Sequence, residues 1–265
     1  MRKYWYSLVV GLKEDTVYVL SVLAWRVRNI MQILVVYILW SSLLVGSSGF
    51  GAYSRSHLLT YILLTMVIRT IVFSSRTVDV SDMISGGDLS NFLVKPINFF
   101  KYFFSLDLGN KAMNLVFSVF EFSAFVYIFK PPFFLQGGAL PIITFALLLV
   151  LATSVYYFMN MCLGFLAFYT PENVWAPRFL FFMILDFMAG ALFPLDILPG
   201  PVFKLLMLTP FPYFLYFPIA VYLGKFTGWP LLAYSFVGIF WAAVLMRLTV
   251  YLWGRGLRAY EAWGQ

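Results

Sequence analysis

Apolar residues run in long unbroken stretches, separated by short polar or proline-rich breaks. The stretches fall at 24–46, 58–75, 103–129, 139–168, 178–194 and 231–253. About 20 residues at 1.5 Å each cross the hydrocarbon core of a bilayer, so each stretch reads as a transmembrane helix. A membrane β-barrel would show short segments of alternating polarity. Residues 131–171 instead carry no charged side chain. The pattern predicts an all-α integral membrane protein with about six transmembrane helices. With no visible internal repeat or low-complexity linker, residues 1–265 read as a single domain.

Three segments break the pattern. In 1–22, Trp5, Leu8, Val9, Leu12, Thr16 and Val19 recur at helical spacing, opposite Lys3, Ser7 and Glu14. That predicts an amphipathic helix lying in the membrane interface before the first span. Lys13, Glu14 and Asp15 interrupt its apolar stretch and no small-residue cleavage site follows, so it does not read as a removed signal peptide. Residues 76–101 form a polar loop. Residues 194–230 are apolar but punctuated by Pro194, Pro199, Pro201, Pro210, Pro212, Pro218 and Pro230. Proline costs a helix a hydrogen bond, and broken helices at membrane depth persist only when packed on protein or lining a cavity. Short re-entrant or outer-leaflet helices before the last span, not a plain seventh span, are expected here.

Composition agrees. Of 265 residues, 62% are apolar and 11% charged, about half the usual charged fraction, too little to coat a soluble globule. The net charge of +7 is spread along the chain instead of forming a nucleic-acid-binding face. With the N-terminus inside, 14 of the 18 Lys and Arg residues flank cytoplasmic ends, and Arg55, Lys130, Lys204 and Lys225 fall outside. This bias places both termini in the cytoplasm and requires an even number of spans. The single Cys162 and single His57 exclude an internal disulfide, a thiolate metal cluster and a Cys/His zinc module.

No P-loop occurs. Gly86-Gly87-Asp88 lacks the lysine and hydroxyl that a phosphate cradle needs, so ATP-driven work would require a second chain. In the polar loop, Asp88 can cap and Pro96 can stop a short helix over Leu89–Val94. Leu89, Phe92 and Leu93 then share one side, suited either to a partner's groove or to the lipid interface. Glu121 and Asp186 lie deep in predicted spans, where an unpaired charge costs a few kcal/mol. Each either lines a translocation path or bonds a neighbouring helix, for example through Asn114, Tyr157 or Asn160. Arg69, Lys111 and Arg247 are expected to snorkel to the interface.

Two phrases carry a family resemblance. Ile84-Ser85-Gly86-Gly87-Asp88-Leu89, followed by Phe92-Leu93-Val94-Lys95-Pro96-Ile97-Asn98, resembles the loop between the second and third spans of type-2 ABC transporter permeases. Ala189-Gly190, Phe193-Pro194-Leu195, Ile197-Leu198-Pro199, Thr209-Pro210-Phe211-Pro212-Tyr213 and Phe217-Pro218 resemble that family's proline-rich external segment. The resemblance covers essentially the whole chain and implies a homodimer or paralogue heterodimer clasped by two ATPase subunits. It implies a coupling helix at 88–95, with Asp88, Leu89, Asn91, Phe92, Leu93 and Lys95 on the ATPase, and an external gate containing Pro194, Pro199 and Pro210. ATP and Mg would sit on the ATPase, with no cofactor in this chain, in a bacterial cytoplasmic membrane. The external region departs from the larger permeases in lacking a sizeable hydrophilic domain.

The expected function is therefore a permease subunit of an ABC exporter, with no enzymatic site of its own. An ion-coupled secondary transporter is the alternative; it would need polar coupling sites at the midplane, for which Glu121 and Asp186 are the candidates. An intramembrane lipid enzyme would need clustered acids or a His/Ser constellation, and Asp79, Asp82 and Asp88 match no such spacing. The exported substrate is not legible.

Overall fold

The computed structural model describes residues 4–10, 19–47 and 49–263, and the fold is all-α apart from one small hairpin. The helices are α1 (Val19–Leu43), α2 (Arg55–Val72), α3 (Val78–Ser85), α4 (Leu89–Leu93), α5 (Phe99–Phe129) and α6 (Ala139–Gly164). They continue with α7 (Trp175–Met188), α8 (Gly200–Met207), α9 (Tyr216–Tyr222) and α10 (Gly228–Trp263). The antiparallel hairpin β1 (Gly49–Phe50) and β2 (Tyr53–Ser54) joins α1 to α2, pairing Phe50 with Tyr53.

Among the described residues, five helical stretches are long and apolar enough to cross a membrane: Val22–Leu43, Arg55–Val72, Phe99–Phe129, Ala139–Phe168 and Gly228–Tyr260. Their boundaries shift by a few residues from the sequence reading. The third span begins at Phe99, capped by the Asn98 side chain, which accepts from the Lys101 amide. It ends at Lys130 in the left-handed region with φ 44°. Polar residues 76–98 are therefore not an open loop but two short helices.

The stretch expected as a fifth span at 178–194 is corrected. Its helix, α7, has 14 residues and ends at Met188, a rise of about 21 Å. Beyond Met188 the α-helix stops, and the carbonyls of residues 189–192 find partners from other elements. Ala189 O accepts the Tyr216 amide at 3.1 Å, Gly190 O accepts the Tyr61 hydroxyl at 2.6 Å, and Leu192 O accepts the Trp40 indole N–H at 2.9 Å. Buried backbone acceptors away from water require such partners. Gly190 has φ +80°, and a Cβ there would lie 2.6 Å from the Tyr61 hydroxyl, so no larger residue fits the turn.

The proline-rich segment packs beside α10. The Trp241 indole donates to Leu208 O at 2.8 Å, and Gly238 packs on the Tyr213 ring, ten residues along α10 from its start. Pro199 and Pro210 sit at the entry of short helical turns, where a missing N–H costs nothing. Pro194 likewise precedes a single 3-10 turn at Leu195–Ile197. Tyr213, Phe214, Leu215, Tyr216 and Phe217 are buried, so this segment is the centre of the main core instead of a surface loop.

A second core gathers at the end of the bundle that carries 76–98. Val80, Ile84, Leu89 and Phe92 pack with Phe99, Phe103, Met161, Phe165 and Phe168, flanked by Leu252, Trp253 and Tyr260 of α10. Close approach is built in. At Gly256 a Cβ would lie 2.1 Å from the Phe168 ring. Of the expected interfacial helix 1–22, residues 4–10 are helical. Trp5 faces outward and Ser7 is buried, while the Tyr4 hydroxyl accepts the Asn98 amide at 3.3 Å. Residues 1–3 and 11–18 of that expectation, including Leu12 and Thr16, lie outside the described residues.

Candidate functional site

Two sets of residues were singled out from sequence, and the structure places them apart. The first is the α3–α4 platform. Asp88 occupies the cap position of α4, but its side chain makes no capping bond. The five residues of α4 split into two faces. Leu89 is 0% and Phe92 6% exposed, both inside the second core. This corrects the expectation that Leu89, Phe92 and Leu93 share one outward apolar side: the apolar face of α4 is covered by the chain's own α5, α6 and α10. The outward edge is Ser90, Asn91, Leu93, Val94 and Lys95, with Leu93 at 46% and Val94 at 84% exposure.

The platform is tied to the bundle at several points. The buried Lys111 ammonium donates to Ile71 O at 3.2 Å, to Val72 O at 3.4 Å and to Ser74 O, closing the C-terminal end of α2. Those carbonyls have no intrahelical donor, and a cation is favoured at a helix C-terminus. Asp107 neutralises Lys111 at 3.4 Å and also accepts the Arg76 amide at 3.0 Å. The expected snorkelling of Lys111 is thus replaced by an internal clamp. Arg178 of α7 donates to the Ser81 hydroxyl of α3 at 2.6 Å, and the Tyr260 hydroxyl donates to Gly87 O at 2.8 Å.

The second set is the pair of intramembrane acids. Glu121 lies 3.0 Å from Arg26, whose guanidinium also reaches the Asn114 carboxamide at 2.5 Å. Asp186 lies 2.8 Å from Arg69 and 3.5 Å from the Gln32 amide. Of the expected neutral partners, Asn114 joins Glu121 only through Arg26, while Tyr157 donates to Phe100 O and Asn160 to Tyr156 O. Arg26 and Arg69 read from sequence as flanking charges; no periodicity signals that each pairs across helices with an acid far along the chain.

At the opposite end of the bundle, Asp196 accepts the Tyr53 hydroxyl at 2.8 Å and lies 3.6 Å from Lys225. Lys225 also donates to Ala52 O at 2.9 Å. Burial, reinforced by Tyr216 and the Asp196 carboxylate, holds the Tyr53 hydroxyl well above the ordinary phenol range. Among the described residues no group of three or more His, Cys, Asp or Glu is arranged to hold a metal ion.

The family model described as "ABC-2 family transporter protein" matches residues 29–264. The chain belongs to the ABC-2 transporter family. It is a multi-pass membrane protein and a permease of that family, a class that associates with ABC ATPase subunits. No curated protein sequence matches it. Within this ABC-2 permease, the platform is where the family resemblance puts the coupling helix, and residues 194–218 are where it puts the external gate.

Proposed function

We propose that this permease is the membrane subunit of an ATP-driven exporter, docked on separate ATPase subunits through the outward edge of α4. ATP and magnesium belong to those ATPases, and no cofactor is assigned to this chain. Two permeases, identical or paralogous, would frame the path, in a bacterial cytoplasmic membrane with both termini in the cytoplasm. The basic residues on the platform end support that orientation.

The observation that carries the reading is the two-faced α4. Leu93 and Val94 are apolar yet exposed beside Asn91 and Lys95, while the buried Leu89 and Phe92 anchor the helix rigidly. A rigid mount with an exposed apolar edge suits a protein groove. The ion-coupled alternative needs acids free to bind a cation, and Glu121 and Asp186 are each held by an arginine.

The test is a pull-down of the tagged chain from its native membranes in mild detergent. A co-purifying P-loop ATPase is expected, and the number of permease species distinguishes homodimer from heterodimer. Leu93→Asp with Val94→Asp should release the ATPase while leaving the chain inserted, since neither residue is buried. Retention of the ATPase by that variant would remove the docking assignment; no ATPase with the parent chain would remove the exporter reading.

A further inference from the structure

We propose that Arg178, acting through Ser81, is the positioning residue that passes motion of the α3–α4 platform to α7; this rests on the exporter reading above. α7 is loosely held along its length. Of its 14 residues, Phe181 and Leu185 are the buried ones. Apolar packing on the platform reaches only the entry of α7, through partly buried Val174 at its cap position; the buried residues of the second core come from α3 to α6 and the turn that follows α6. What joins α7 to the platform is a directional bond near its first turn, Arg178 to the Ser81 hydroxyl at 2.6 Å.

Ser81 is well placed to transmit displacement. It is fully buried, and its hydroxyl also donates to Val78 O at 2.7 Å, which fixes its orientation. The far end of α7 has a matching handle, Asp186, held by Arg69 of α2 and Gln32 of α1. Immediately beyond lies Gly190, whose neighbours Tyr61 and Tyr216 tie it to α2 and to the re-entrant segment. A helix bonded near its two ends, with only Phe181 and Leu185 packed in the main core between them, moves as a rod. A push on the platform thereby reaches the re-entrant segment through about 21 Å of α7.

The test uses the permease–ATPase complex in lipid nanodiscs, with a nitroxide on Met183→Cys. Met183 is exposed on α7 and the native Cys162 is buried, so the label reports α7. ATP with vanadate should shift the label's mobility and oxygen accessibility in the parent complex. Arg178→Ala and, independently, Ser81→Ala should retain the ATPase and its basal hydrolysis but lose that shift, and Arg178→Lys should recover it. A shift preserved in both alanine variants overturns the proposal. So does loss of the ATPase in both, which would make the contact part of docking, or a parent complex that binds ATPase but shows no shift. A parent chain that captures no ATPase instead removes the exporter reading beneath it.

Discussion

Arg69 and Asp186, 117 positions apart in sequence, meet at 2.8 Å between α2 and α7. The contact neutralises the one acid of α7, and it fixes the depth of a helix whose own apolar packing is slight. A charge left without its partner in a low-dielectric setting is costly.

Asp186→Asn should therefore lower stability by about 1–3 kcal/mol, since it strands Arg69 with a weaker acceptor. The thermal midpoint of the purified chain in detergent reads this directly. Transport that stays normal despite the loss assigns Asp186 to structure; transport lost at unchanged stability assigns it to the path.

Lys111→Met should be more severe. It removes a donor from three carbonyls at and just beyond the end of α2, of which Ile71 O keeps only the Ser74 hydroxyl, and leaves Asp107 buried without its cation. A loss of about 3–5 kcal/mol is expected, as for breaking a buried pair. Lys111→Arg should rescue poorly, because a planar fork does not fit a site shaped around a compact ammonium. Expression and thermal melting of the two variants decide it, and wild-type melting of Lys111→Met would refute the clamp.

Gly256 and Gly254 give opposite expectations on one helix. Alanine at 256 would press on the Phe168 ring and cost about 1–3 kcal/mol. Alanine at 254 meets nothing within 4 Å and should be neutral or stabilising, by up to about 1 kcal/mol from helix propensity. Equal effects at the two sites would contradict the close packing of α10 on Phe168.

Tyr53→Phe should cost about 1 kcal/mol through the lost bond to Asp196. It should also flatten the alkaline limb of the stability curve. Because the folded hydroxyl is raised, its contribution is fully present below the ordinary phenol value of about 10 and fades as pH climbs toward the folded value. Parallel melts of parent and variant at neutral and strongly alkaline pH measure the difference in slope.

The sequence announced the long spans because unbroken apolar runs have one physical use at such length. For the fifth stretch, hydropathy does not show where a helix stops inside an apolar run: 178–194 is apolar throughout its last third, yet the α-helix ends at Met188 and the backbone beyond is served by Trp40, Tyr61 and Tyr216 from elsewhere. For α4, the spacing of Leu89, Phe92 and Leu93 revealed an apolar face but not what covers it. Glu121 and Asp186 stood out as intramembrane charges. Their partners did not, since Arg26 and Arg69 read equally well as flanking residues obeying the positive-inside bias.

The short α7 has one more consequence, for the surrounding lipid. Its helix rises about 21 Å, against a hydrocarbon core of about 30 Å. Leu180, Met183 and Ile184 are exposed along it. Where neither the segment after Met188 nor another protein covers that flank, acyl chains meeting it would have to tilt or shorten, and a local thinning of the bilayer is expected there.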